Sequence, residues 1–443
     1  MSADTLRAVE AELATRWPES RIEPSLDRIR DLTDLLGRPQ DAYPVIHITG
    51  TNGKTSTARM VDELLRELGL RTGRFTSPHL VSVTERICLD GEPISTERFA
   101  AAYRELAPYL DLVDARHDVR LSYFEVLVAL AYATFADAPI DVAVVEVGMG
   151  GVWDATNVAD GKVAVVTPIA LDHADYLGDT IEQIAEEKAG IIKAGTLVVV
   201  GRQPDEAAEV LARRAAEVGA TLMVEDANFA VRDRRLAVGG QQLAVRGLAG
   251  DYDELSLPLH GAHQASNAAC AVAAAEAFVG GAREPIDTEA VRNALARVTS
   301  PGRLEVLRRS PTIMVDAAHN PAGTRALSEA IQDEFSFTKL VGVVAVLSDK
   351  DVRGILEELE PILVTIVVTE NSSPRRLPVA DLAVVAEQVF GADRTIRAEN
   401  LPDAIDVAVS LVEDDAMFGG AGVLLTGSVV TAGDARHLLG ALQ

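Results

Sequence analysis

A short glycine-rich segment at residues 50–56 carries the side chains best suited to phosphate chemistry. It follows an apolar run at residues 45–49 and has the sequence Gly-Thr-Asn-Gly-Lys-Thr-Ser, after which a helical pattern begins. Small residues let backbone N–H groups surround phosphate oxygens, the helix N-terminus adds partial positive charge, and Lys54 can reach the β- and γ-phosphates. The alternative is a plain strand-to-helix turn, because the full phosphate-loop pattern has glycine where this chain has Ile48. The segment favours nucleotide binding by Gly50, Thr51, Asn52, Gly53, Lys54, Thr55 and Ser56.

Glu146 is a candidate metal ligand, because it lies near the end of the apolar run at residues 142–147. In open parallel sheets, ligands collect at the carboxyl ends of strands. Mg²⁺ prefers oxygen ligands and bridges carboxylates to nucleotide phosphates. The alternative is a buried acid paired with a lysine. His173 follows the next apolar run, at residues 163–167, and could reach the same edge of the sheet, although a single histidine is more often a loop residue.

Lys188 has an unusual environment for a lysine. It lies in the middle of the apolar stripe of a predicted helix at residues 180–194, and the stripe is formed by Ile181, Ile184, Ala185, Ile191 and Ile192. A lysine there must extend its amine to solvent, pair with an anion or lose its charge. Either the amine snorkels to the surface, or it is modified or meets an anion near the active site, since buried lysines shift their pKa and become nucleophilic.

Parallel strands would bring these candidate residues together at one edge of a sheet. Apolar runs of about four to eight residues alternate with amphipathic stretches, which is typical of parallel α/β architecture. The runs predict strands at residues 45–49, 142–147, 163–167, 197–200, 313–315, 341–347, 362–369 and 423–426. Residues 58–68 and 180–194 are predicted to be helices that end at Gly69 and Gly195, and glycine turns predict a small β excursion at residues 229–259.

Composition excludes several classes of protein. With 443 residues and 48% hydrophobic content, the chain is long enough for two domains. No window approaches the ~18 consecutive apolar residues of a membrane span, and residues 1–5 lack the build of a signal peptide. A net charge of −26 disfavours nucleic acid as a partner, and two isolated cysteines are too few for a disulfide framework. We therefore expect a cytoplasmic protein, without membrane or nucleic-acid partners, that meets anionic substrates through local positive charge or metal.

Further motifs run in order through nearly the whole chain. They are Gly50-Thr51-Asn52-Gly53-Lys54, Thr76-Ser77-Pro78-His79-Leu80, Glu85-Arg86-Ile87, Ser122-Tyr123-Phe124-Glu125, Glu146-Val147-Gly148-Met149-Gly150-Gly151, Asp154-Ala155-Thr156-Asn157, Asp172-His173, Glu187-Lys188-Ala189-Gly190, His263-Gln264 with Asn267, Pro301-Gly302-Arg303, Asp316 with His319-Asn320-Pro321, and Thr426-Gly427-Ser428. Together they resemble the folylpolyglutamate synthase/dihydrofolate synthase family of the Mur ligase superfamily.

The resemblance implies a fold and an activity. The fold is α/β, with a P-loop mononucleotide-binding parallel-sheet domain followed by a smaller Rossmann-like α/β domain. Residues 1–298 would bind ATP and folate, and residues 299–443 would bind glutamate, with closure around the breaker cluster at residues 299–302. The implied enzyme is an ATP-dependent ligase that joins L-glutamate to dihydropteroate, to a reduced folate, or to both, through an acyl phosphate. We expect it to act as a monomer.

The resemblance also assigns roles to individual residues. Two Mg²⁺ ions accompany ATP, and the implied metal ligands are Ser77, Glu146 and His173. Lys188 matches the lysine that this family carbamylates, and the residues expected to act in catalysis are Lys54, Lys188, His173 and Arg303. ATP contacts beyond the loop fall to Asn267, Arg303 and Asp316, folate contacts to Phe124 and Asp154, and glutamate contacts to His319 and Ser428.

The chain departs from the family pattern in ways that bear on the site. Thr55 stands where the folate branch usually has glycine, which leaves open whether Thr55 or Ser56 serves the phosphates, and Val152 and Val430 replace a frequent arginine and a frequent tyrosine. Two alternative functions remain at this point: a Mur-type ligase acting on a UDP-linked muropeptide, and a P-loop ATPase switch. The absence of a UDP-binding domain before the loop argues against the first, and the motifs after residue 300 argue against the second.

Overall fold

Eight strands in the first half of the chain form one sheet. The computed structural model describes residues 2–18, 23–413 and 420–440, and this sheet contains β1 (Val45–Thr49), β2 (Thr72–Phe75), β3 (Ile87–Leu89), β4 (Glu92–Pro93), β5 (Val142–Glu146), β6 (Gly161–Val166), β7 (Leu197–Val200) and β8 (Thr221–Val224). The strand order is β4-β3-β2-β5-β1-β6-β7-β8. All neighbours from β2 to β8 are parallel, whereas β3 and β4 add antiparallel strands at one edge. The carboxyl ends of β1, β5 and β6 therefore share one edge of the sheet.

Helices cover both faces of this sheet. They are α1 (Ser2–Leu13), α2 (Asp27–Leu35), α3 (Lys54–Glu67), α4 (Thr96–Asp114), α5 (Tyr123–Asp137), α6 (Ala174–Leu177), α7 (Ile181–Lys188), α8 (Asp205–Val218), α9 (Ala262–Gly280) and α10 (Thr288–Arg297). Ile46 and Ile48 belong to the core that contains α3 and α9, whereas Val45 belongs to the core that contains α5. Burial on both faces explains why the central strands are continuous apolar runs in the sequence.

A separate antiparallel sheet follows, as predicted for residues 229–259. It contains β9 (Ala230–Ala237), β10 (Gly240–Arg246) and β11 (Asp251–Leu257), in the order β11-β10-β9. Leu243, Val245 and Leu255 pack into the same core as α9. The small sheet is thus fixed to the helix that follows it in the chain.

Six strands after residue 300 form the last sheet. They are β12 (Glu305–Arg309), β13 (Thr312–Val315), β14 (Lys339–Val344), β15 (Thr365–Val368), β16 (Thr395–Arg397) and β17 (Ala421–Thr426), in the order β12-β13-β17-β14-β15-β16. Its helices are α11 (Pro321–Glu334), α12 (Val352–Leu359), α13 (Val379–Phe390), α14 (Leu401–Glu413) and α15 (Val429–Leu438). Within the described residues, no helix is long and apolar enough to cross a membrane.

The predicted helix at residues 180–194 is wrong at its C-terminal end. α7 is capped by the Thr180 side chain and ends at Lys188, and a short 3-10 turn follows. The apolar pattern continued past that end because Ile191 and Ile192 are buried in the same core as Ile184. Gly195 is not a helix cap; its left-handed backbone lies in the turn before β7. The prediction for α3 is confirmed at its end, since left-handed Gly69 follows the last helical turn.

Candidate active site

One cavity of about 1150 Å³ collects most of the residues singled out from the sequence. Its walls include Thr51, Asn52, Gly53, Lys54, Thr55, Ser56, Ser77, Phe124, Glu146, Asp154, His173, Asn267, Arg303, Asp316, His319 and Ser428. Two predicted residues, Gly50 and Lys188, are not part of the wall and contact each other behind it. The cavity therefore brings the carboxyl edge of the first sheet against the loops of the last one.

The glycine-rich loop has the backbone that its sequence requires. Gly53 is the N-cap of α3 with φ of 89°, a left-handed conformation that favours glycine. A Cβ on Gly53 would lie 2.6 Å from Oδ1 of Asn267, so the loop and α9 are in direct contact. Nζ of Lys54 donates to the carbonyl oxygens of Gly50 and Thr51, at 3.1 Å each. Burial lowers the pKa of Lys54, and the carboxylate of Glu146 opposes that shift.

Glu146 ends β5 and is buried beside the loop. Oγ1 of Thr55 donates to its carboxylate, at 3.0 Å from both oxygens, and the N–H of Ser77 lies 3.4 Å from Oε2. Burial raises the pKa of Glu146, and the Lys54 charge and the Thr55 hydrogen bond offset that rise. Among the described residues, no three His, Cys, Asp or Glu side chains converge as a ready-made metal site. A cation here would need phosphate and water oxygens as well, which is how Mg²⁺ is usually held.

Thr55 and Ser56 point to different partners. Thr55 faces Glu146, whereas Oγ of Ser56 lies 3.0 Å from Oγ of Ser300 and accepts a hydrogen bond from Gln264 at 3.3 Å. Ser56 is 1% exposed. The structure therefore places Thr55 on the carboxylate side of the loop and Ser56 on the side of the segment that leads to the last sheet.

Lys188 is buried, and the interpretation that its amine snorkels to solvent is wrong. The residue is 4% exposed, and its Nζ donates to the carbonyl oxygen of Gly50 at 2.9 Å. Burial, together with the nearby charge of Lys54, lowers the pKa of Lys188 to about 7. A buried amine therefore lies directly behind the glycine-rich loop and is substantially neutral near physiological pH.

Asp172 is the centre of a charged cluster that joins the two large sheets. Its carboxylate accepts hydrogen bonds from Nζ of Lys350 at 2.6 Å and from Nδ2 of Asn320 at 2.9 Å, and Nε2 of His319 lies 3.5 Å away. Burial alone would raise the pKa of Asp172, but the His319 hydrogen bond and the surrounding charges hold it well below its usual value. Its neighbour His173 has a left-handed backbone, and burial lowers the pKa of its ring to about 3.

A pair of amides makes a second link between the sheets. Asn52 in the glycine-rich loop and Asn320 each donate to the other's side-chain oxygen, at 3.1 Å in both directions. Oδ1 of Asn320 also accepts from the N–H of Gly323 and caps α11. The loop that would hold phosphates is thus fastened to the first turn of a helix on the other sheet.

The predicted folate residues, Phe124 and Asp154, line the same cavity. The Phe124 ring lies over Gly148, where a Cβ would be 2.4 Å from Cζ of Phe124. Asp154 is 3% exposed and accepts from the N–H groups of Met149 and Thr156, at 2.8 and 2.9 Å. Its carboxylate therefore shapes the loop after β5 as well as the cavity wall.

Two predicted residues of the last sheet hold their own backbone. Asp316 accepts from the N–H groups of Leu304 and Ala318, both at 2.7 Å, and burial raises its pKa. Oγ of Ser428 caps α15 and accepts from Asn371 at 3.1 Å. These side chains shape the wall around Arg303 and His319 rather than projecting freely into it.

Sequence reasoning missed Lys350 and gave Asp172 no role of its own. Lys350 follows the buried strand β14 in a short charged segment, Ser348-Asp349-Lys350-Asp351, which was a readable signal of a strand-end site. Its pairing with a carboxylate 178 positions earlier was not readable.

Comparison with known proteins places the chain in a family. The model of the Mur ligase middle domain matches residues 48–275, and that of the Mur ligase, glutamate ligase domain matches residues 302–429. A Mycobacterium tuberculosis relative, dihydrofolate synthase/folylpolyglutamate synthase, is 55% identical, over 98% of this chain and 94% of that protein. The chain belongs to the folylpolyglutamate synthase/dihydrofolate synthase family.

Solved structures of the family share this fold. Mycobacterium tuberculosis folylpolyglutamate synthase complexed with ADP has a TM-score of 0.96 at 55% identity, covering 99% of both chains. Escherichia coli FolC in complex with DHPP and ADP has a TM-score of 0.84 at 29% identity, over 100% of this chain and 99% of that chain. The predicted α/β fold and the predicted family are confirmed, and the muropeptide-ligase and ATPase-switch alternatives are set aside.

Proposed function

We propose that this chain uses ATP to join L-glutamate to both dihydropteroate and reduced folate. The observation that carries the proposal is the single cavity whose wall includes the glycine-rich loop, Asp154 and His319. A ligase of this kind must hold three anionic substrates in contact, and one continuous cavity allows it. The Escherichia coli relative, which holds DHPP and ADP together, supports a shared cavity for nucleotide and pteridine.

The reaction has two steps. The carboxylate of the pteroate or folate attacks the γ-phosphorus of ATP, the bond to the bridging oxygen breaks, and ADP leaves. The glutamate amine then attacks the acyl carbon of the acyl phosphate, loses a proton, and displaces inorganic phosphate as the amide forms. Catalysis depends mainly on positioning and on neutralising converging negative charges.

ATP lies on the loop at residues 50–56, with its phosphates toward Lys54 and Arg303. Asn267 and Asp316 flank the nucleotide, Phe124 and Asp154 the pteridine, and His319 and Ser428 the incoming glutamate. Ser77, Glu146 and His173 would hold Mg²⁺, expected in two copies, and the metal would supply positive charge that neutralises the phosphates. The buried carboxylate of Glu146, bonded by Thr55 and next to Ser77, fits that role.

Lys188 carries a carbamate in the active enzyme. Its neutral amine attacks CO₂, a nitrogen–carbon bond forms and one proton is released, which converts a buried amine into an anion. The lowered pKa of Lys188, about 7, supports this step. The remaining N–H can keep donating to the carbonyl oxygen of Gly50, which it meets at 2.9 Å.

Two domains perform these tasks. Residues 1–298 form the ATP- and folate-binding domain, and residues 299–443 the glutamate-binding domain, with closure around residues 299–302. The six-stranded sheet begins only at Glu305, which supports this division. Residues 1, 19–22, 414–419 and 441–443 of these ranges lie outside the described residues.

Incorporation of labelled L-glutamate tests the proposal. With Mg-ATP, we expect label to enter both dihydropteroate and mono-glutamyl tetrahydrofolate, and none to enter a UDP-muropeptide. Label in only one pteridine would refute dual activity and identify the branch. No label in either, with ATP still bound, would overturn the proposed function.

Exchange of Thr55 for alanine separates the two hydroxyls of the loop. Thr55→Ala removes the donor to Glu146, so we expect kcat/KM to fall about 10- to 100-fold and the Mg²⁺ requirement to rise. Thr55→Ser keeps the donor and should retain most activity. Ser56→Ala, which removes only the contacts with Ser300 and Gln264, is the matched control and should change the Mg²⁺ requirement little. A Mg²⁺ titration of initial rates measures the difference, and equal effects of both alanine variants would contradict it.

A further inference from the structure

The three-stranded sheet β9–β11 has no place in the chemistry described above. One of its side chains, Arg234, nonetheless reaches the C-terminal sheet's helix α11, where it pairs with Glu334. Glu334 is the last residue of α11, and its side chain is 3% exposed. The buried carboxylate of Glu334, from the domain of the last sheet, thus contacts the three-stranded sheet, which belongs to the first domain.

The carboxylate of Glu334 contacts three polar groups from the first domain. Besides Arg234, its carboxylate lies 2.7 Å from Nδ1 of His260 and accepts from the N–H of Gly261 at 2.6 Å. Gln241 of β10 completes the group, because its oxygen accepts from Arg234 at 2.6 Å and its Nε2 donates to the carbonyl of Gly261 at 3.1 Å. We call these five residues the Glu334 clasp.

The clasp connects the N-terminus of α9 with the C-terminus of α11, two helices that also contribute to the active-site cavity. Gly261 is the N-cap of α9, the helix that carries Gln264 and Asn267 beside the phosphate loop. At its other end, α11 begins at Asn320, which contacts Asn52 and Asp172. At the clasp the two helices pack closely, since a Cβ on Gly261 would lie 3.2 Å from the Cβ of Ala330 on α11.

We propose that the Glu334 clasp is a positioning device for glutamate transfer: the small sheet sets the angle of α11, and hence the placement of His319, which directly precedes the N-cap of that helix. This inference rests on the proposed ligase activity. The Asn52–Asn320 amide pair holds the N-terminus of α11, and the clasp holds its C-terminus. The glutamate-binding loops therefore meet the acyl phosphate in one orientation. Losing the clasp leaves α11 packed on its own sheet but linked to the first domain at one end only, and the productive orientation becomes a minority state.

Kinetics of clasp variants test this proposal. For Glu334→Ala and for Arg234→Ala we expect KM for glutamate to rise about tenfold, with affinity for an ATP analogue changed less than about twofold. The double variant should be no worse than the poorer single variant, since both remove the same contact. Glu334→Gln, which keeps an acceptor for Gly261, should fall between Glu334→Ala and the unmodified chain. Glu329→Gln, an exposed carboxylate on the same helix, is the matched control.

A distance measurement separates positioning from a loss of fold. Both native cysteines are buried, so spin labels can be placed at Val279→Cys and Val384→Cys, exposed sites on α9 and α13. With an ATP analogue bound, and at a temperature at which circular dichroism shows both chains fully folded, the clasp-intact chain should give one narrow distance distribution and Glu334→Ala a broad one. If the wild type incorporates glutamate and the clasp variants keep both its KM for glutamate and its distance distribution, this inference alone is overturned. If the wild type incorporates no glutamate, the proposed function is overturned.

Discussion

Lys188→Ala is expected to lower kcat about 100- to 1,000-fold while the chain still folds and binds ATP. The side chain lies behind the glycine-rich loop, outside the cavity wall, with its Nζ 2.9 Å from the carbonyl oxygen of Gly50. Alanine removes the group that would become a carbamate and leaves the loop glycines and Lys54 in place. Glutamate incorporation gives kcat, and quenching or calorimetry with an ATP analogue gives the affinity.

Replacement variants at Lys188 distinguish a carbamate from a cation. If the active form is an anion, Lys188→Arg should be as poor as Lys188→Ala, and Lys188→Glu should retain more activity than either. Added bicarbonate or a short carboxylic acid should restore part of the activity of Lys188→Ala, because a small anion can enter the space. An active Lys188→Arg, or the absence of both rescue and added mass on Lys188, would refute carbamylation.

The lowered pKa of Lys188 gives the same hypothesis a pH dependence. A lysine whose pKa is about 7 is mostly neutral at about pH 8 and mostly protonated at about pH 6. Only the neutral amine attacks CO₂, so the mass of one carbamate should appear after incubation at the higher pH and not at the lower. Trapping the carbamate by alkylation before mass spectrometry measures it without any activity assay.

The sheets show which parts of the fold could be predicted from sequence. β1 and β5 are buried on both faces, so each is a largely apolar run that a periodicity analysis finds, although β1 includes His47 and β5 ends in Glu146. β2 was missed because its sequence is Thr-Gly-Arg-Phe. The ring of Phe135 occupies the space where a side chain on Gly73 would lie, and Arg74 is buried through its contacts with Asp62 and Cys88. A strand stabilised by a partner elsewhere in the chain has no local pattern to recognise.

The site residues show the same difference between local patterns, which can be predicted from sequence, and distant pairings, which cannot. Residues of the phosphate loop and Glu146 were found because their chemistry follows from a strand end and a few neighbours. Lys350 and Glu334 were not, because each acts on a carboxylate or an arginine that is distant in sequence. The side chains of Asp154 and Ser428 also bond backbone groups around them, which the sequence did not indicate. Their roles in binding folate and glutamate stay predictions.

Asp172→Asn is expected to lower kcat/KM about 100-fold, the loss that a displacement of the order of 1 Å at a reacting centre produces. The Asp172 carboxylate is 7% exposed and holds Lys350 at 2.6 Å and Asn320 at 2.9 Å. An amide keeps the size but removes the charge, so Lys350 loses its anionic partner, and the link between the two sheets through residue 172 is weakened while the Asn52–Asn320 pair remains. Breaking a buried ion pair of this kind costs about 3 kcal/mol of stability.

Stability measured against pH gives a second readout for Asp172→Asn. The pKa of Asp172 is held well below its usual value, so the carboxylate contributes its full stabilisation above the unfolded pKa of about 3.9 and loses it only as pH falls toward the folded one. The difference in urea midpoint between wild type and variant should therefore persist at about pH 5 and narrow in stronger acid. Asp179→Asn, an exposed carboxylate on the other side of α6, is the matched control. If Asp172→Asn matched that control in both stability and kcat/KM, Lys350 would be held by other groups, and the cluster could not be what orients the C-terminal loops at the site.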